Sequence, residues 1–385
     1  MEPKIRFKGF EGEWKTPSIG DVFELRNGYT PSKIVKEFWE GGTIPWFRME
    51  DIRINGGFLK DALQHITPLA VKGAGLFEKN SIILATTATI GVHAMLIADS
   101  LANQQFTNFK VRKSLSDEYI DEFIYYSFFK IDEWSKNNTN SGGLLSVNMP
   151  LLVKQGFLTP CKEEQQTIAS YFRILDAKLQ ASTKKVESLK KLKSASLVAM
   201  FPQNGESMPK VRFKGFEGEW NECKLGEICY KRSSFHTEGH LGANCGKYPI
   251  YGATGYIQNI ETYDVDVPYV SIVKDGSGVG RVELNPAFSS VLGTMQYLLV
   301  KPQNSIAYLL SLLQTFDFSE FTNGSSIPHI YFKDYALKEI KVPSLEEQQK
   351  IGSYFITLDR KIALETARLE KLKQIKLACL DKMFV

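Results

Sequence analysis

Two stretches of the chain carry apolar residues at a helical period. Stepping four, three, four, three residues onward from Ile351 reaches Phe355, Leu358, Ile362, Glu365, Leu369, Leu372, Lys376, Cys379 and Met383, of which most are apolar or cysteine. The same stepping from Ile168 reaches Phe172, Leu175, Leu179, Ser182, Val186, Leu189, Lys193, Ser196 and Met200. This spacing lays a seam along one face of a long helix, and a second helix is needed to cover it. The polar interruptions coincide, Ser182 with Glu365 and Lys193 with Lys376, so the two helices are expected to pair in a fixed register. At ~1.5 Å per residue, Glu163 to Met200 would run about 57 Å. Ser344, three residues before Glu347, predicts a capping box at the second helix, whereas Cys161 stands at the matching place and predicts a weaker cap. Pro202 ends the first helix, because proline cannot extend the hydrogen-bond ladder.

Between these stretches the pattern is mixed. "SIILATTATIGVHAMLIA" (Ser81 to Ala98) and "VPYVSIVKDGSGVGRVEL" (Val267 to Leu284) read as strands joined by tight turns. Ser116 to Trp134 and Asn304 to Phe316 read as helices with one apolar face. Each half therefore holds an α+β head and a long helix.

The halves are copies of one plan. "RFKGFEGEW" occupies Arg6 to Trp14 and returns unchanged at Arg212 to Trp220; "EEQQTIASYFRILDAKL" from Glu163 is answered by "EEQQKIGSYFITLDRKI" from Glu346. Such internal repetition sets the domain plan: a first head over 1–159, a helix over 160–201, a linker over 202–209, a second head over 210–342 and a second helix over 343–385. Chain order makes an antiparallel helix pair with a pseudo-two-fold axis the simplest arrangement, a calliper with one head at each end.

Composition adds limits. With 385 residues and 43% hydrophobic content, the chain can bury more than one core. No apolar run is long enough to cross a membrane, and "MEPKIRFKGF" has no signal-peptide core, so a soluble cytoplasmic protein is expected. Five cysteines without a C-x-x-C pair fit reduced thiols. The positive charge resides in the helices and in the segments 4–15 and 210–221 around the repeated nonapeptides; the variable block over 16–159 has 14 basic against 15 acidic residues and that over 222–342 has 10 against 12. Nucleic-acid affinity rests on phosphate neutralisation, so the heads need either a clustered basic face or a partner that grips the phosphates.

The repeated helix motif, the nonapeptide and two unlike heads resemble the specificity subunit of a type I restriction–modification enzyme, over essentially the whole chain. "NGYTPSK" (Asn27 to Lys33), "IPWFRMEDI" (Ile44 to Ile52) and "ATIGV" with "ANQQF" (Ala88 to Phe106) are similar to that family's target-recognition pattern. "YKRSSF" and "YPIYGATGYI" depart from it in the second head. The resemblance implies a fold of two target-recognition domains joined by long antiparallel coiled-coil helices. It further implies a double-stranded DNA target in two halves, one per head, and two methyltransferase subunits docked on the helices, joined by restriction subunits. No cofactor is implied for this chain; S-adenosylmethionine would belong to the methyltransferase, ATP and Mg2+ to the restriction subunit.

Base reading needs hydrogen-bonding groups on turns, such as arginine for guanine and glutamine or asparagine for adenine. The candidates in the first head are Arg26, Tyr29, Lys33, Arg48, Thr86, Thr87, Thr89, Gln104 and Gln105. Those in the second are Lys231, Arg232, Tyr251, Tyr256, Lys274, Ser277, Arg281, Asn323, Ser325, Ser326 and His329.

Several fragments imitate catalysis. "NPAF" at Asn285 lacks the second proline of an amino-methyltransferase motif, and "GSGVG" at Gly276 is followed by strand, not by a phosphate-binding helix. Asp334 with Glu339 and Lys341 has a nuclease-like look at too short a spacing, and Cys223, Cys229, His236, His240 and Cys245 crowd into 23 residues without the paired cysteines of a usual zinc site. Two rival readings are a stand-alone methyltransferase, which would need a cofactor loop and a complete motif, and a coiled-coil scaffold that does not touch DNA. Unlike heads at matched positions argue against the scaffold.

Overall fold

A computed structural model describes residues 2–140, 145–203, 205–242, 244–324 and 327–384. The first head contains α1 (Ile19–Val22), β1 (Phe23–Asn27), β2 (Ile44–Phe47), α2 (Met49–Asn55), β3 (Phe58–Leu59), β4 (His65–Ile66), β5 (Ile82–Ala85) and β6 (His93–Leu96). It continues with β7 (Leu101–Ala102), β8 (Phe106–Val111), α3 (Asp121–Asn137), β9 (Thr139–Asn140), β10 (Ser146–Val147) and α4 (Met149–Lys154), and leads into the long α5 (Lys162–Met200). The second head contains β11 (Asn221–Lys224), α6 (Leu225–Ile228), β12 (Cys229–Ser233), β13 (Tyr248–Gly252), β14 (Gly255–Ile260), β15 (Tyr269–Val273) and β16 (Val282–Asn285). After these come β17 (Ser290–Val291), β18 (Met295–Val300), α7 (Ile306–Leu313), α8 (Phe332–Tyr335), β19 (Glu339–Val342) and the long α9 (Leu345–Met383).

The chain forms two compact units, and the division runs through both long helices. One unit is residues 1–181 with 369–385, the other 182–368. The first holds a sheet of order β1-β8-β5-β6-β3 and a small sheet β4-β2-β7. The second holds β12-β18-β15-β16 and β14-β13-β17. Apart from β3, which has no counterpart among the described strands of the second head, the pairings correspond: Phe23 faces Val111 as Cys229 faces Val300, and β2 runs parallel to β7 as β13 runs parallel to β17. "YPIYG", which departs from the sequence pattern, thus supplies the strand that "IPWF" supplies in the first head. One topology underlies two unrelated sequences, because alternation and turn placement, not residue identity, specify a sheet.

Aromatic and aliphatic packing fills each core. α3 buries Phe123, Tyr126 and Phe128 against Phe23 and Phe109, and α7 buries Tyr308, Leu309 and Leu312 against Val270, Ile272 and Leu298. Both helices are shorter than the apolar pattern predicts. The chain over 116–120 precedes α3, since the Ile120 N–H donates to the Gln165 side chain at 2.9 Å instead of extending the helix. α7 ends at Leu313, where the chain turns toward Phe316 and Phe318.

All 20 seam positions of α5 and α9 are buried or half-buried, so the heptad pattern identifies the covered face. Within the first unit α5 and α9 run antiparallel, with Tyr171 bonded to Cys379 at 3.4 Å and Asp176 to Lys376 at 2.6 Å. The second unit repeats this with the roles exchanged: Tyr354 bonds Ser196 at 2.9 Å, and Asp359 pairs with Lys193 at 2.6 Å. The lysines that interrupt the seams therefore meet aspartates, at matching repeat positions in the two units. At the start of α9 the expected capping box is only half formed. The Ser344 hydroxyl accepts from the Glu347 N–H at 3.4 Å, but the Glu347 carboxylate turns to Arg212.

Candidate nucleic-acid interface

The repeated motifs build the base on which each recognition surface stands. Arg6 makes a fork to Glu164, at 2.8 and 2.7 Å, and its remaining donors reach the Gly12 and Glu11 carbonyls. Arg212 forks to Glu347 at 2.7 and 2.8 Å and reaches Gly218 and Glu217 in the same way. The buried carboxylate raises the guanidinium pKa above its ordinary value in both copies, first through these hydrogen bonds. Gln165, 1% exposed, donates to the Glu118 and Pro160 carbonyls and accepts from Ile120. Gln348 likewise donates to the Pro343 carbonyl and accepts from the Ser305 N–H. The Glu-Gln of each "EEQQ" thus fastens the long helix to the nonapeptide and to the start of the head's own helix.

The turns of the first head converge at one end of its main sheet. Gly28 N–H donates to Phe106 O, Tyr29 N–H to Ala102 O and Thr86 N–H to Gln105 O, each at 2.8–2.9 Å. A Cβ on Gly28 would lie 2.2 Å from the Asn103 carbonyl oxygen, so only glycine lets these turns meet. Thr89, Lys33 and Gln104 are exposed there, and Thr87, Arg48 and Gln105 are half-buried. Gln104 accepts from Thr30, and Gln105 accepts from Asn103.

Three candidates hold the loops together. Arg26 donates to the Gly75 and Leu76 carbonyls, with its guanidinium 5.2 Å from the Phe77 ring centroid. The Tyr29 hydroxyl donates to Ala70 O and accepts from Lys72 N–H. Thr86 is 6% exposed, its hydroxyl bonded to Thr107. Arg48 begins α2, its guanidinium 3.2 Å from Glu50.

In the second head the turn over 274–281, the segment after β12 and the hairpin around 323–329 meet. Lys274 N–H donates to Thr294 O, Gly276 N–H to Pro328 O, Gly293 N–H to His236 O and Ile330 N–H to Lys274 O. Gly276, Gly278 and Gly280 have φ of 84–87°, so "GSGVG" is a tight strand-to-strand turn. Ser277 is exposed at its tip, Lys274 is bonded to Asp275 at 2.8 Å, and Arg281 reaches the Ala253 carbonyl at 2.7 Å. Lys231 and Arg232 are exposed on edge strand β12. Tyr256 is exposed, its ring 6.3 Å from that of half-buried Tyr251, whose pKa burial pushes up. Asn323 and His329 exchange backbone hydrogen bonds, which places both on the hairpin. Ser325 and Ser326 lie outside the described residues.

The first head has a counterpart of that hairpin, β9 and β10, tied to the same end of the main sheet where Val147 N–H donates to Thr86 O at 2.8 Å. Asn140 and Ser146 therefore share the surface with Thr87. Two-residue strands carry no alternation, so the sequence pattern does not single them out.

The catalytic look-alikes are spoken for. Asn285 is buried at the end of β16 and donates to Ser271 Oγ at 2.6 Å. Cys229 is buried, donates to the Leu225 carbonyl, and has its thiol pKa pushed up to about 12 by burial, which disfavours the thiolate a metal needs. Asp334 stands on α8, while Glu339 and Lys341 stand on β19. No described helix is long and apolar enough to cross a membrane.

Comparisons with known proteins agree with this geometry. The type I restriction modification DNA specificity domain matches twice, over residues 11–191 and 217–374. The chain is 32% identical to the type I restriction enzyme EcoprrI specificity subunit of Escherichia coli, over 91% of this chain and 88% of that one. It is 24% identical to the MjaIX specificity subunit of Methanocaldococcus jannaschii, over 96% and 92%. Its fold is similar to the S subunit from M. genitalium, with a TM-score of 0.71, 17% identity and coverage of 100% and 99%. It is also similar, with a TM-score of 0.56 and 16% identity over 98% of both chains, to a chain from a type I R-M assembly. With two specificity domains on matched bases and unlike reading surfaces, the chain belongs to the family of type I restriction–modification specificity subunits.

Proposed function

We propose that each head reads one half of a bipartite double-stranded DNA target, and that the chain directs a methyltransferase to it without performing chemistry itself. The observation that carries this is the contrast within each head: one shared framework, and turns that share no sequence where they converge. Exposed Gln104 and Thr89 in the first head, and Lys231, Arg232 and Ser277 in the second, supply donors and acceptors of the kind that base edges require. Near-neutral heads leave much of the phosphate grip to a partner. The long helices would dock two methyltransferase subunits carrying S-adenosylmethionine, and restriction subunits would bring ATP and Mg2+.

The test replaces 222–342 with the corresponding block of another specificity subunit and reads the methylated sites of cells that also carry the methyltransferase. One half of the target is expected to change, with the other half and the spacing retained. Loss of both halves would show that the heads read cooperatively, contrary to the proposal.

A further inference from the structure

One large apolar side chain in each head stands almost wholly in solvent. Ile34 is 93% exposed and Phe235 92%, whereas the next among the described residues, Leu364, is 71% exposed. Ile34 lies in the segment that leads from β1 to β2. Phe235 lies in the segment that leads from β12 to β13, the matching place in the other head. The two segments are unlike in sequence, and they have this feature in common.

Both side chains are held out by the chain around them. Beside Ile34, the Trp39 indole donates to the Ser32 carbonyl at 3.0 Å and packs edge-on against Trp46 at 5.0 Å. The Thr67 N–H and hydroxyl donate to the Phe38 and Glu37 carbonyls at 2.9 and 2.7 Å. Next to Phe235, the Ser234 hydroxyl donates to the Val291 carbonyl, and His236 Nε2 lies 3.3 Å from Asp264. The His236 carbonyl accepts from the Gly293 N–H at 2.7 Å, and its backbone bridges Leu292 as a strand would. Successive side chains of extended chain point to opposite sides, so fastening Ser234 and His236 inward directs Phe235 outward.

Cations flank both tips. Lys33 and Lys36 lie on either side of Ile34, with Glu37 beyond, and Lys231 and Arg232 precede Phe235; all are exposed. Each tip also stands among the converging turns. Thr30 donates to Gln104 near the first, and Gly293 adjoins the Thr294 carbonyl that takes the Lys274 N–H near the second. A held apolar tip with cations beside it fits stacked base pairs, which are apolar on their faces and bordered by phosphates. We infer that Ile34 and Phe235 are wedges, each entering the base stack in one half of the target and opening a step there. This rests on the reading of the heads given above. It adds that part of the specificity comes from how easily a base step opens, beside the hydrogen bonds to base edges. Neither side chain has a hydrogen-bonding group, so a search of the sequence for donors and acceptors passes over both.

The experiment places the complex of this chain with its methyltransferase subunits on a duplex carrying the target found by methylome sequencing. Donor and acceptor dyes straddle one half-target at a time, and energy transfer reads the bend. The parent complex should kink each half by about 20° or more. Ile34→Ala should straighten the half read by the first head alone, and Phe235→Ala the other alone, while Ile34→Leu and Phe235→Leu keep both kinks. Distortion imposed by the methyltransferase is common to all variants and cancels in the comparison. Thermal midpoints should not change, because both side chains lie outside the cores. A double alanine variant that bends the duplex as the parent does overturns the inference and leaves the proposed function standing; weaker binding without straightening would mark an apolar contact in a groove. A parent complex that methylates no two-part target overturns the proposed function, and the inference with it.

Discussion

The two heads are alike where they are fastened and unlike where they end. Trp14 packs edge-on against Phe384 at 6.5 Å, and Trp220 against Phe201 at 6.3 Å; Phe172 meets Phe384 at 5.8 Å, and Phe355 meets Phe201 at 6.0 Å. Even the strand that carries the chain into and out of each head pairs equivalently, Lys15 with Thr159 and Asn221 with Val342. At the opposite end of each sheet, Gln104 and Thr89 correspond to nothing in the glycine turn around Ser277. Positions that hold a common framework are constrained by the same packing in both copies. Exposed positions on the turns lie outside that packing and are left free to differ, as the proposed reading of two unlike half-targets requires.

The largest expected effect tests the equality of the bases. Phe172→Ala and Phe355→Ala, both at fully buried positions, should each cost about 3–5 kcal/mol. Hydrogen exchange resolved by residue should show equal loss of protection, each in its own unit. A large loss at one position alone would mean that matched contacts do not carry matched energy.

A smaller effect separates framework from reading surface within one head. Thr86→Val should cost about 1 kcal/mol, because it removes the hydroxyl bonded to Thr107, and should leave the methylated sequence unchanged. Gln104→Ala, on an exposed turn, should change stability by no more than about 0.5 kcal/mol and relax the first half of the target. Denaturant melts and methylome sequencing of both variants check this, and the reverse outcome would move reading into the sheet.

Smaller still is the effect of the mirrored ion pairs. Asp176→Asn and Asp359→Asn should each cost at most about 1 kcal/mol, since both pairs are partly solvated. The exchange Lys193→Asp with Asp359→Lys should recover most of the second loss. A double-mutant cycle without recovery would remove these pairs as register marks.

The last test uses a seam slot where one copy carries a charge and the other does not. Glu365, matched by Ser182, is held below the ordinary carboxylate pKa of 4.5 by its hydrogen bond to Lys185. A depressed folded pKa contributes stability above the unfolded value, lost as pH falls through the folded one. The advantage of the parent chain over Glu365→Gln should therefore be fully present above pH 4.5 and shrink as the pH falls below it. A constant difference in thermal midpoint across that range would show that the carboxylate's charge is not what the position uses.

The sequence by itself determined the duplication, the two long helices, the covered face of each and the α+β character of the heads. Periodicity and repetition are one-dimensional, and a seam every three and four residues has one geometric meaning. It also showed that the seam's lysines belong to the register, though not that Asp176 and Asp359 receive them. Tertiary structure alone decided the rest. Glu347 satisfies the sequence rule for a capping box, yet an arginine 135 residues away offers a stronger, charge-assisted bond. Thr86, Arg26 and Tyr29 look like turn residues in the chain and act as struts, because neighbouring loops arrive to use their hydroxyls and guanidinium. "YPIYG" takes the place of "IPWF" without resembling it, since a strand's position depends on which partners its backbone can reach. Burial, loop convergence and long-range partners arise from contacts between segments distant in sequence, and no local pattern encodes them.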